Sequence, residues 1–99
     1  MSILVAILEV VCVKMPTIAR LGPYRVFFFS NEGAEPPHVH IQRERSLAKF
    51  WLEPVALATV YGFRARELRE LERIVGENQR TWMEAWHEFF GRRDTPPSE

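Results

Sequence analysis

Cysteine is almost missing from these 99 residues; Cys12 stands alone. One thiol cannot close an internal disulfide, so the fold must be held by burial and hydrogen bonding, which suits a reducing, cytoplasmic setting. Set in an apolar run, Cys12 reads as an inert buried thiol. Net charge is missing too, because 13 Lys and Arg balance 13 Asp and Glu. That removes any global pull towards nucleic acid or anionic membrane, although a local patch can still form. Nor is there an apolar run long enough to cross a bilayer. The best one, residues 2–13, is too short and carries Glu9. It has no basic segment ahead of it and no small-residue cleavage site after it. Residues 1–14 are therefore expected to be an N-terminal extension or an extra strand, with Met15 as an alternative translation start. No internal repeat is visible. Residues 15–91 are expected to form one domain, and residues 92–99, with Pro96-Pro97, a disordered tail.

An apolar fraction of 46%, with 12% aromatic residues, points to a packed globule and away from disorder. After the turn residues Gly22-Pro23, residues 24–29 read as a core strand with apolar side chains on both faces. Ser30-Asn31-Glu32-Gly33-Ala34 is turn chemistry. Residues 39–43 alternate like a second strand, and residues 47–52 like a third, with Leu47, Lys49 and Trp51 on one face. The connections are short enough for antiparallel hairpins. Pro54 interrupts the pattern, and residues 55–61 are read as a fourth, edge-type strand. From about residue 64 to 90 the period changes. Leu68, Leu71, Val75, Trp82, Trp86 and Phe89 form one helical stripe, which keeps phase across Gly76. One long helix is predicted, bent if anywhere at Gly76 and stopped by Gly91. The fold class is thus α+β: a small antiparallel sheet of three to four strands packed against one long C-terminal helix.

The candidate site is Glu35-Pro36-Pro37-His38-Val39-His40-Ile41. Each proline fixes its own φ and biases the residue before it towards extended backbone. On the strand that follows, His38 and His40 share a face at roughly 6–7 Å along the backbone, opposite Val39 and Ile41. Two imidazoles on one rigid ledge can share a divalent metal such as zinc, which needs at least a third protein ligand. Glu32 or Glu35 on the preceding loop and His87 on the helix are the candidates. Without metal, the same pair can move protons while nearby arginines (Arg25, Arg43, Arg45) stabilise a phosphorane-like transition state. The bland alternative is a pair of histidines bonded to neighbours or water. On the helix, Trp82, Trp86 and Phe90 could form a partner-binding patch. The bland reading there packs these aromatics onto Phe27 and Phe29. Apolar surface left over on so small a domain would suit a homodimer or a partner protein.

From Met15 onward the chain resembles a family of small bacterial domains of unknown function, often encoded in toxin–antitoxin-like gene pairs. The resemblance is carried by Met15-Pro16-Thr17-Ile18, the strand 24–30, Asn31-Glu32, and Pro36-Pro37-His38-Val39-His40. It continues through Ala48-Lys49-Phe50-Trp51-Leu52-Glu53-Pro54-Val55, Gly62-Phe63 and Ala85-Trp86-His87-Glu88-Phe89-Phe90-Gly91. Many members have Asn where this chain has His87, and often Ser where it has Arg64. What the resemblance implies is a cytoplasmic, protein-binding component of such a pair, partnered by a small protein encoded nearby, with a His-x-His site. The alternatives are a small ribonuclease or phosphodiesterase toxin acting on RNA through His38, His40 and Arg43, and a metal-binding regulatory domain.

Overall fold

The computed structural model describes residues 15–91. The expectations for residues 1–14 and 92–99 lie outside the described residues. Five strands form one antiparallel meander in the order β1 (Thr17–Leu21), β2 (Tyr24–Phe27), β3 (His38–Arg43), β4 (Ser46–Leu52) and β5 (Val55–Tyr61). Two helices follow, α1 (Ala65–Glu77) and α2 (Gln79–Phe90). Among the described residues no helix is long and apolar enough to cross a membrane.

Two expectations are corrected here. The sheet has five strands rather than three or four, because residues 17–21 pair with β2 through the Gly22-Pro23 turn, Leu21 opposite Tyr24. The long helix is two helices, and the break falls at Asn78, not Gly76. The Asn78 side-chain amide donates to the Ile74 carbonyl at 2.8 Å, and its own carbonyl accepts from the Trp82 amide at 2.9 Å. Asn78 thus ends one helix and starts the next, the competition with backbone hydrogen bonding for which asparagine is suited. Gln79 then ties the start of α2 to the sheet, donating to the Leu52 carbonyl at 2.6 Å.

Pleating sorts the side chains. Val26, Val39, Ile41, Ala48, Phe50 and Leu52 point to one face and join Phe28, Phe63, Leu71, Val75, Trp82 and Trp86 in a single buried core. Trp86 packs edge-on to Phe28 at 5.2 Å between ring centres. The helical aromatics therefore meet Phe28, whereas Phe27 belongs to the other face, paired with His40 across β2–β3. That second face is covered over β2 and β3 by Phe29, at 5.3 Å from Phe27 and 4.5 Å from His40. Residues 28–37 form the connection between β2 and β3. Its turns are closed by Glu32 N–H to Phe29 O and Glu35 N–H to Glu32 O, each 3.1 Å. Gly62, between β5 and α1, has φ +90°, and a Cβ there would come within 2.7 Å of Ser46 Oγ. That turn requires glycine on both counts.

Candidate functional site: a Glu–His–His cluster

The start of β3 is buried on both faces, from His38 to Ile41. The sequence puts polar side chains where strand geometry demands burial, so their hydrogen bonds must be accounted for. His38 is fully buried, with Trp51 at 5.6 Å and Trp86 at 4.9 Å between ring centres. Its Nδ1 lies 2.9 Å from the Pro36 carbonyl. A carbonyl only accepts, so Nδ1 carries a proton. The prolines thus do more than extend the chain, since Pro36 fixes the tautomer and orientation of the ring two residues on. His38 Nε2 then stands 2.7 Å from Glu32 Oε1. His40 Nε2 reaches the same oxygen at 2.8 Å.

Two lone pairs at 2.7 Å repel, so this contact needs a proton between His38 Nε2 and the carboxylate, and a metal cation in its place would hold the two atoms further apart. Burial depresses the His40 pKa below the ordinary imidazole value, against the upward pull of Glu32. A neutral His40 donates through Nε2 and leaves Nδ1 buried with no partner. Burial alone would raise the Glu32 carboxyl, but hydrogen bonds from His40 and His38 hold it below the usual carboxylate range. An orphaned imidazole nitrogen flanked by Phe27 and Phe29 is costly, and phenylalanine would fill the same space without that cost. The geometry therefore points to the convergent Nε2 atoms as the feature worth that cost.

One carboxylate oxygen of Glu32 and one ring nitrogen from each of His38 and His40 all lie within 4.8 Å of one another. Two imidazoles and a carboxylate are a donor set suited to zinc and to other first-row divalent ions. Zinc bonds of about 2.0–2.1 Å put neighbouring ligand atoms about 3.3 Å apart, so the carboxylate would have to retreat by roughly 0.5 Å. Glu32 is the most exposed member, its side chain 22% exposed against 7% for His40 and 0% for His38.

Of the third-ligand candidates, Glu32 is the one brought to both histidines. Glu35 Oε1 lies 3.8 Å from His38 Nδ1 and is engaged by Lys49 Nζ at 2.7 Å. Lys49 also sits over the Trp51 ring at 4.6 Å. His87 lines a separate cleft with Glu35, Pro36, Pro37 and Trp86. Arg43 is not at the site. Strand alternation puts it on the opposite face, where its guanidinium grips Glu67 with two 2.7 Å hydrogen bonds. Arg25 is likewise committed, donating to Thr17 Oγ1 and the Met15 carbonyl at 2.6 Å each. Trp82 and Trp86 belong to the core, 3% and 1% exposed, while Phe90 is half-buried and Phe89 is 44% exposed. Sequence reasoning missed Lys49, Trp51 and Phe29 as neighbours of the cluster. The two-residue turn after Arg43 carries the signal for the first two, since its register sets His40 opposite Lys49 and His38 opposite Trp51.

Comparison with curated proteins and with solved structures returns no match. A family model described as a domain of unknown function, DUF4160, matches residues 24–87. That span runs from β2 through most of α2 and takes in all three members of the cluster, so the chain belongs to the DUF4160 family.

Proposed function

We propose that this domain works by binding, as the partner-binding member of a toxin–antitoxin-like pair, and that Glu32, His38 and His40 hold one divalent ion of the zinc class that stabilises it. The observation that carries the metal reading is the convergence of two buried Nε2 atoms on one carboxylate oxygen, at 2.7 and 2.8 Å. The gene-pair setting rests on the sequence resemblance. Binding is favoured over turnover by the burial of His38, because a general base must come within hydrogen-bond reach of its substrate's proton. It is favoured again by Arg43, which a ribonuclease or phosphodiesterase reading needs beside the histidines and which Glu67 holds on the far face.

Elemental analysis of the purified full chain, beside a His38→Ala/His40→Ala variant, tests the metal. About one ion per chain is expected in the parent and none in the variant, with a chelator lowering the parent's Tm. Metal-free protein whose melting ignores both added zinc and chelator would overturn it. Expression of the chain alone should leave growth unchanged, and the product of the neighbouring gene should co-purify with it. Growth arrest relieved by His40→Ala would instead favour the nuclease.

A further inference from the structure

A cleft of about 400 Å³ opens between residues 34–37 and α2, on the other side of Pro36 and Trp86 from the histidine cluster. Pro36, Pro37, Met83 and Trp86 give it an apolar lining, and two carboxylates, Glu35 and Glu53, share the rim. Among the described residues, no Lys or Arg lines it. Lys49 neutralises Glu35 through a 2.7 Å contact. Glu53 is exposed and makes no hydrogen bond or ion pair among the described residues. At the α2 side His87 Nδ1 is shut off from water without a hydrogen-bond partner.

These features select among occupants. An anion would meet Glu53 with no cation to offset it. A purely apolar group would cover the Glu53 carboxylate without an ionic partner for it. A long side chain with an apolar stem and a cationic, planar head satisfies both parts. Its stem lies along the prolines and Met83, over the buried edge of Trp86, and its paired N–H groups match the Glu53 carboxylate bidentately. The cleft is at the small end of ligand-site sizes, about 300–1,000 Å³, enough for one such side chain and some flanking backbone.

We propose that this cleft receives an arginine side chain from the partner protein, with Glu53 as its principal anchor. The proposal deepens the binding reading above, because it names a surface and the partner chemistry that fits it, and it does not depend on metal. The cleft is nonetheless mechanically joined to the cluster. The Pro36 carbonyl that orients His38 belongs to its lining residue, and Trp86 packs on the His38 ring at 4.9 Å.

The test is an NMR titration of the isotope-labelled full chain with acetyl-arginine amide and with acetyl-citrulline amide, which has the same shape and no charge. It is run once with chelator and once with zinc. With only three tryptophans, the Trp86 indole signal can be assigned by substitution. Saturable shifts at Trp86 and His87 are expected with the arginine probe, at about millimolar affinity for so small a ligand. The citrulline probe, and the arginine probe on Glu53→Gln, should each bind at least about tenfold more weakly. Equal response to the two probes, an unaltered response in Glu53→Gln, or no shift at either residue would each overturn the proposal. So would cleft signals that move on dilution of the protein alone, which would assign the cleft to a second copy. Failure of the metal reading shows separately, as indifference of the His38 and His40 signals to zinc.

Discussion

Glu32→Gln is the sharpest perturbation of the cluster, since it preserves shape and removes one charge. In the parent, one carboxylate oxygen receives two imidazole nitrogens, at 2.7 and 2.8 Å, beside rings that are fully or nearly buried. A hydrogen bond to a charged group contributes about 1.5–3 kcal/mol. Leaving a buried partner uncompensated costs more, about 3–5 kcal/mol when the pair is fully enclosed. Because Glu32 keeps 22% of its side-chain exposure, the lower figure applies, and a loss of about 2–3 kcal/mol is expected in metal-free protein. For a domain of this size that is a fall in Tm of roughly 8–24 °C. Calorimetry in chelator reads this directly. The same scan with zinc should show a larger gap between parent and variant, because the anionic ligand has gone as well. A metal-free Tm within about 3 °C of the parent would mean the carboxylate does not hold the histidines together.

Acid should destabilise the fold in two stages. The folded pKa of His40 lies below its ordinary 6.5, and that of Glu32 below 4.5. Both groups therefore contribute stability that is complete above those unfolded values and is lost as pH falls through the folded ones. In chelator, Tm should decline from about pH 6.5 downward and more steeply below about 4.5, and a flat profile down to about pH 5 would refute this. On the opposite face, hydrogen bonds from Arg43 and then Tyr24 hold the Glu67 carboxyl low. Glu67→Gln should lower Tm less than Glu32→Gln and leave zinc content unchanged, which elemental analysis would check. At Gly33 an added Cβ would stand 2.5 Å from Phe90 Cδ1. Gly33→Ala should cost about 1–3 kcal/mol by overpacking and should also weaken zinc retention, because Glu32 is its neighbour in the chain.

Much of this was legible residue by residue. Alternation in His38-Val39-His40-Ile41 foretold which side chains share a face, and the alternation of residues 47–52 foretold Lys49 and Trp51 together. The first strand escaped because Thr17–Leu21 is short and its register with β2 shifts between Thr17 and Ala19, which blurs a period of two. The break at Asn78 escaped because the apolar stripe keeps its phase through it, leaving only the asparagine itself as a sign. The choice between Glu32 and Glu35 was beyond pattern reading. They lie three residues apart on one loop, and the successive turns after Phe29 decide which carboxylate swings over the histidines. Arg43, grouped with Arg25 and Arg45 as an arginine near the histidines, lies on the far face, because an odd offset from a histidine on a strand places a side chain there.

The depth of His38 also has a kinetic meaning. Its ring is sealed by two indoles, the Pro36 carbonyl and Glu32, so an ion bound there could be reached by a chelator only after the loop of residues 28–37 lifts. Removal would then follow the rate of that opening, and raising the chelator concentration would stop accelerating it beyond a plateau. The plateau would measure how often this small domain exposes its interior, with the departing ion as the clock.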